Sequence, residues 1–289
     1  MQGGPVLRRR RTVRVCLIVV GICALIWMTM AGHTLERMLI YFPSRQLEGD
    51  PSSLGLAFED VWLTTEDGIR VHGWFVPSRL SDRTLLVLHG NAGNISHRLE
   101  WIRLLHELPA SVLIIDYRGY GRSEGQPFEL GLYRDALAAW GWWERHQGRH
   151  GNTTIVPLGE SLGGAVATHL AARVRCDGLI LQSTFSSAQD MARLFFPLGL
   201  LRPIAGVRFD SLTEISAVTA PKLVIHGEED EIVPFELGRK LFESAPPPKV
   251  FYAVPGARHN DLVWAAGPDY ARTLRDFLDG LRRLDRPRP

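Results

Sequence analysis

Ser161 sits in the pentapeptide Gly159-Glu160-Ser161-Leu162-Gly163, directly after the apolar run Ile155–Leu158 and at the start of a helical stretch expected over 162–173. A serine placed on a tight strand-to-helix turn is pushed out of the backbone where a substrate can reach it. The turn brings neighbouring backbone so close that glycine is wanted on both sides, and Gly163-Gly164 lets helix and strand pack together. The hydroxyl then faces a helix N-terminus, where unpaired amides and the macrodipole favour negative charge. The chemistry this suggests is nucleophilic attack on a carbonyl.

A serine hydroxyl is a weak nucleophile until a base takes its proton, and the base needs a carboxylate to orient it. Where an elbow of this kind carries a triad, the acid and then the histidine follow the serine along the chain. One histidine lies late in the chain just past a strand-like run: His259, in Pro255-Gly256-Ala257-Arg258-His259-Asn260-Asp261 after Val250–Val254. Upstream, Leu223–Ile225 runs into His226-Gly227-Glu228-Glu229-Asp230-Glu231-Ile232-Val233-Pro234. Of the four carboxylates, Asp230 is preferred because it stands three residues past Gly227 and precedes Ile-Val-Pro, which tucks the loop back into the core. Glu228, Glu229 and Glu231 then read as a solvated loop, and His226 as packing at the strand end. An oxyanion needs backbone donors. Leu162 supplies one expected N–H, and Asn91, in His89-Gly90-Asn91-Ala92-Gly93-Asn94 after the run Leu85–Leu88, the other. His89 is expected to orient that loop.

These residues must be held at the ends of strands. Continuous apolar runs at Leu85–Leu88, Val112–Ile115, Ile155–Leu158, Leu179–Leu181, Leu223–Ile225 and Val250–Val254 suit strands buried on both faces. Helical stretches at about 97–107, 129–146, 162–173, 235–244 and 261–282 alternate with them. The expected fold class is α/β: a mostly parallel, doubly wound sheet whose ligands bind beyond the carboxyl ends of the strands. Before it, the alternating runs Ala57–Thr65 and Ile69–Val76 flank Glu66-Asp67-Gly68 and predict an antiparallel hairpin. An insertion over about 184–216, rich in Met191, Leu194, Phe195, Phe196, Leu198, Leu200 and Leu201, is either a helix packed over the sheet or a short helical lid forming an acyl pocket.

The organisation expected from composition is a basic segment at 1–14, a transmembrane anchor at 15–33, a linker at 34–56 with Pro43, Gly49, Pro51 and Gly55, the catalytic domain at 57–283 and a tail at 284–289. Val15–Gly32 carries no charge and follows Arg8, Arg9, Arg10, Arg11 and Arg14. At about 1.5 Å per residue it nearly covers a hydrocarbon core of about 30 Å. Thr29-Met30-Ala31 is a poor cleavage site, so an uncleaved anchor is expected over a removed signal. Arginines stay in the cytoplasm, which places the domain on the non-cytoplasmic side, in a periplasm or lumen. Net charge is +2, with arginines crowded at the termini, so a nucleic-acid partner is not expected.

Other signals read more plainly. Gly119-Tyr120-Gly121-Arg122-Ser123-Glu124 begins like a dinucleotide fingerprint but ends in glutamate, and reads as a turn. His146 and His150 are separated by Gly148, which breaks the helix they would need to share a metal. Trp140, Trp142 and Trp143 read as core, and Cys176 as a structural thiol. No cofactor or metal is called for.

Taken in order, His89-Gly90-Asn91-Ala92-Gly93-Asn94, Asp116-Tyr117-Arg118-Gly119-Tyr120-Gly121-Arg122-Ser123-Glu124-Gly125, Gly159-Glu160-Ser161-Leu162-Gly163-Gly164, Asp230 and His259-Asn260-Asp261 resemble the α/β-hydrolase-domain proteins with one N-terminal membrane helix, a group that includes depalmitoylases. The resemblance covers roughly 35–285. It implies an α/β-hydrolase fold, a Ser161–Asp230–His259 triad with the oxyanion amides named above, and hydrolysis of an ester or thioester in a small-molecule or acylated, lipid-like substrate. It fixes neither the substrate nor the oligomeric state. A peptidase with the same triad and a catalytically silent binding protein of the same fold are the competing readings. Epoxide hydrolases and dehalogenases are disfavoured, because they place aspartate where Ser161 stands.

Overall fold

The computed structural model describes residues 36–78, 82–146, 154–195 and 206–284. The basic segment, the expected anchor, residues 196–205 of the insertion and residues 285–289 of the tail lie outside the described residues. An eight-stranded sheet forms the centre, in the order β10-β9-β8-β7-β4-β6-β3-β2. Its strands are β2 (Glu59–Thr64), β3 (Arg70–Val76), β4 (Arg83–Leu88), β6 (Ser111–Ile115), β7 (Thr154–Glu160), β8 (Leu179–Gln182), β9 (Lys222–Gly227) and β10 (Lys249–Val254). Two short strands, β1 (Phe42–Pro43) and β5 (Ala92–Gly93), pair outside it.

All pairs from β10 to β6 are parallel, while β3 runs antiparallel to both β2 and β6. The sequence pattern accounts for this. β4, β6 and β9 are buried at every position and contain the apolar runs Leu85–Leu88, Val112–Ile115 and Leu223–Ile225, whereas the edge strand β2 buries only Val61 and Leu63. The hairpin joining β2 to β3 closes through Gly68 at φ 80°, with Gly68 N–H donating to the Thr65 carbonyl at 2.9 Å.

Successive residues of each strand feed opposite layers. Leu86, Leu88, Leu113 and Leu181 face the core shared with the helices Glu129–His146 and Leu162–Ala171. Leu85, Val87, Val112 and Ile180 face the one shared with Leu99–His106 and Pro268–Leu284. The fold is therefore an α/β-hydrolase fold, a mostly parallel doubly wound sheet. Trp143 is buried, its Nε1 donating to Thr84 Oγ1 at 3.1 Å, and Trp140 and Trp142 pack against the same core.

Two features, the C-terminal helical stretch and the segment 36–56, depart from the sequence reading. The stretch 261–282 is two helices, Leu262–Ala266 and Pro268–Leu284, broken at Gly267, which sits at φ 54° ahead of a proline. Within 184–216, Ala188–Phe195 is helical, with Met191 against the core and Leu194 exposed. Residues 36–56, expected to be a linker, pack on the domain. Residues 36–40 are helical, β1 pairs in parallel with β5, and Tyr41 is buried with its hydroxyl on Glu36 Oε1 at 2.8 Å. The proline and glycine punctuation marks turns here, such as the 3₁₀ turn Pro51–Leu54 capped by Asp50, while Ile40 and Tyr41 supply apolar surface that packs.

Candidate active site

Ser161 stands between β7 and the helix Leu162–Ala171 at φ 53°, ψ −117°, a conformation that costs a non-glycine residue about 1–3 kcal/mol. The surroundings over-determine it. Ser161 N–H donates to the Gln182 carbonyl at 2.9 Å, and its own carbonyl accepts from Gly164 N–H at 2.9 Å and Thr184 Oγ1 at 2.7 Å. The glycines are needed for space: a Cβ on Gly159 would lie 2.3 Å from the Gly163 carbonyl oxygen, and one on Gly163 1.9 Å from that of Leu88.

Asp230 and His259 leave adjacent strand ends, since Val254 at the end of β10 pairs with Gly227 at the end of β9. A Cβ on Gly227 would meet the Ala257 carbonyl at 2.3 Å, so glycine lets the two loops close on each other. His259 Nδ1 lies 2.8 and 3.0 Å from the two oxygens of Asp230, and Nε2 lies 3.1 Å from Ser161 Oγ. An ionised carboxylate only accepts, so Nδ1 carries the proton toward Asp230 and Nε2 is left to accept from the serine hydroxyl. All three residues chosen from sequence thus form one hydrogen-bonded chain, whereas Glu228, Glu229 and Glu231 are exposed.

Burial by itself would push the Asp230 carboxyl up. Hydrogen bonds from His226 and His259, the electrostatic pull of the His259 ring and the Val233 N–H outweigh it and hold the carboxyl well below the usual carboxylate range. The amides of Ile232 and Val233 donate to Oδ1 at 3.0 and 2.7 Å, which is what the Ile-Val-Pro tuck achieves. His226 is fully buried behind this carboxylate, with Nε2 2.8 Å from the Val233 carbonyl and 3.3 Å from Asp230 Oδ2. It packs and braces.

The loop after β4 passes beside the serine: a Cβ built on Gly90 would lie 3.6 Å from the Ser161 Cβ. His89 is fully buried, and its Nδ1 donates to the Gly90 carbonyl at 2.7 Å, the loop-orienting part expected of it. Glu160, next to Ser161, accepts from Gly90 N–H and Arg98 Nε, both at 3.3 Å. A cavity of about 410 Å³ opens on the His259 side, lined among others by Arg98, Trp101, Glu160, Gln182, Asn260 and Trp264. Beneath it, Trp101 Nε1 donates to Tyr270 Oη at 2.9 Å, and that hydroxyl donates to Gln182 Oε1 at 2.6 Å. Cys176 is buried away from these groups, and burial pushes its thiol up to about 11, so it stays protonated and unreactive at neutral pH.

Sequence reasoning missed the residues that brace this loop. The Asn91 carbonyl accepts from Phe42 N–H at 2.9 Å and Tyr120 Oη at 2.7 Å, and Asn91 Nδ2 donates to the Ile40 carbonyl at 2.8 Å. The available signal was the apolar, β-prone Ile40-Tyr41-Phe42 inside a stretch otherwise rich in turn formers.

Comparison with known proteins agrees with this architecture. Residues 83–213 match a family described as alpha/beta hydrolase fold. An uncharacterized protein of Mycobacterium tuberculosis is 40% identical over 272 residues, covering 93% of this chain and 92% of that protein. Protein bem46 of Schizosaccharomyces pombe is 36% identical, covering 85% and 86%. Lysophosphatidylserine lipase ABHD12 of Macaca fascicularis is 34% identical over 75% of this chain and 61% of its own length. Among solved structures, the Pyrococcus furiosus esterase Pf2001 superposes with a TM-score of 0.71 at 21% identity, over 84% of this chain and 98% of that one.

Proposed function

We propose that this chain, which belongs to the α/β-hydrolase family, is a serine hydrolase that cleaves carboxylic ester or thioester bonds of acylated, lipid-like substrates through an acyl-enzyme. The observation that carries the reading is the unbroken Ser161–His259–Asp230 hydrogen-bond chain, with the serine on a strained elbow at a strand's end. His259 Nε2 takes the hydroxyl proton as Ser161 Oγ attacks the carbonyl carbon. The backbone N–H groups of Asn91 and Leu162 hold the oxyanion. His259 then passes the proton to the leaving oxygen or sulfur, and a water molecule, deprotonated by His259, releases the acid.

Two observations favour an acylated substrate. Phe42, whose N–H holds the Asn91 carbonyl, and Trp264, which lines the cavity beside His259, are exposed apolar side chains, and a 34% identical relative is named a lipase. A peptidase of the same fold would need a charged subsite for the substrate amine or carboxylate, and Arg98 and Glu160, which line the cavity, are paired with each other at 3.3 Å. In our reading the charge-free run Val15–Gly32 tethers the domain on the non-cytoplasmic side, in a periplasm or lumen. Protease added to sealed vesicles with their non-cytoplasmic face outward should then digest the domain, and protection would place it in the cytoplasm.

The decisive test is a panel of nitrophenyl esters from acetate to palmitate, with fluorophosphonate labelling. Wild type should label and turn over esters with burst kinetics, while Ser161→Ala does neither. Long-chain preference would support the 184–216 insertion as an acyl pocket, and short-chain preference would return it to plain packing. A wild type that neither labels nor turns over any acyl ester overturns the reading.

A further inference from the structure

We infer that Tyr120 and the segment Ile40–Phe42 are positioning elements for the oxyanion amide of Asn91, so that the stretch just after the apolar N-terminal run is part of the catalytic apparatus. The inference rests on the serine-hydrolase reading above and extends it to residues outside the triad.

The geometry is specific. A peptide unit is planar, so the direction of Asn91 N–H is fixed by the Gly90 carbonyl of the same unit. His89 Nδ1 holds that carbonyl at 2.7 Å. The next peptide unit is held through the Asn91 carbonyl, which takes Tyr120 Oη at 2.7 Å and Phe42 N–H at 2.9 Å. With both flanking units fixed, Asn91 keeps one φ and one ψ. Its side chain latches the residue to the Ile40 carbonyl at 2.8 Å. The latch is built on more than one bond: Ser44 N–H donates to the Gly93 carbonyl and Gly121 N–H to the Ser44 carbonyl, each at 2.9 Å. Asn94 Nδ2 donates to the Gln46 carbonyl at 2.6 Å.

The same strap reaches the insertion. Tyr41 Oη donates to Glu36, Glu36 Oε1 accepts from Glu129 N–H at 3.1 Å, and the Glu129 carboxylate accepts from the amides of Arg208 and Phe209, each at 2.7 Å. A hydroxyl on a carbonyl remote from the reacting atoms has no substrate to bind. Its effect is to preorganise a donor that acts when charge develops on the substrate oxygen.

The test uses the full chain with Tyr120→Phe, Asn91→Ala and the double variant. Tyr120→Phe keeps the ring packed against His89 and Tyr117 and removes one bond. Losing an oxyanion donor outright costs about 10²–10³ in turnover, so a misaimed donor should lower kcat about tenfold with KM unchanged. Affinity for a trifluoromethyl ketone, whose adduct with the serine carries the same oxyanion, should fall by the same factor, while inhibition by the carboxylic acid product stays constant. The double variant should lose less than the product of the single losses, because both bonds serve one residue. Unchanged kcat and ketone affinity in both single variants, or a rise in KM alone, would overturn the inference while leaving the hydrolase reading intact. A wild type inert to esters and to fluorophosphonate would remove both.

Discussion

Asparagine at position 230 should leave a folded protein whose kcat on an acyl ester is lower by about 10⁴-fold. The neutral amide presents an N–H as readily as an oxygen to His259 Nδ1, now 2.8 Å from a carboxylate oxygen. The ring can then settle with its proton on Nε2, where it no longer accepts from Ser161 Oγ. Loss of charge also removes stabilisation of the imidazolium that forms as the serine attacks. Ser161→Ala should fall at least as far, and the double variant little further, because the residues act as a unit. The substitution also changes stability in a pH-dependent way. The Asp230 carboxyl lies well below its ordinary range in the folded protein, so its contribution is present above the unfolded value and is lost as pH falls through the folded one. Urea unfolding of wild type and Asp230→Asn should therefore differ most near neutrality and converge in strong acid. A variant that kept a tenth or more of wild-type kcat would remove Asp230 from the reaction.

How far the sequence carried can be judged from particular residues. The strand-to-helix turn at Ser161 was legible because sterics leave little choice: Gly159 and Gly163 stand where any Cβ would strike backbone. Asp230 could be told from three neighbouring carboxylates because Ile232-Val233-Pro234 forces one side chain inward, and its Oδ1 takes the two amides that this tuck presents. The central strands declared themselves through unbroken apolar runs. Segment 36–56 was not legible in the same way. Many of its long-range hydrogen bonds use its backbone atoms, such as Phe42 to Asn91 and Ser44 to Gly121, and such bonds leave no mark on its side-chain pattern. The break at Gly267 was missed for another reason. The apolar periodicity resumes after it, so the pattern alone cannot separate one bent helix from two. Nothing in the spacing of the glycine-rich stretch 116–125 announced that Tyr120 would brace the loop beside the serine.

The largest expected loss of stability lies in that stretch. Arg118 is buried, donating its backbone N–H and Nε to Asp135 at 2.8 and 2.9 Å and its two terminal nitrogens to Asp67 at 2.8 and 3.0 Å. One guanidinium thus joins the hairpin turn between β2 and β3, the loop after β6 and the helix Glu129–His146. Asp135 is fully buried, and burial pushes its carboxyl up to about 6 against the pull of Arg118, so even with its partner the charge is held at a disadvantage. Arg118→Met should therefore destabilise the domain by about 3–5 kcal/mol, because it strands a buried carboxylate. In a domain of this size that lowers Tm by about 10 °C. By contrast, Arg103 makes two ion pairs, with Glu100 and Glu107, on an exposed helix face, and its replacement should cost less than about 1 kcal/mol. Exposure separates the two arginines, since their counts of charged partners are equal. Adding Asp135→Leu to Arg118→Met should recover most of the loss, since an apolar pair of similar volume leaves no charge unpaired. Chemical denaturation of the three variants measures this, and an Arg118→Met loss below about 1 kcal/mol would show that Asp135 finds water or another donor. Because Tyr120 lies two residues beyond Arg118, the rescued double variant separates fold from function. If it regains stability yet keeps a lowered kcat, the guanidinium serves the oxyanion loop as well as the core.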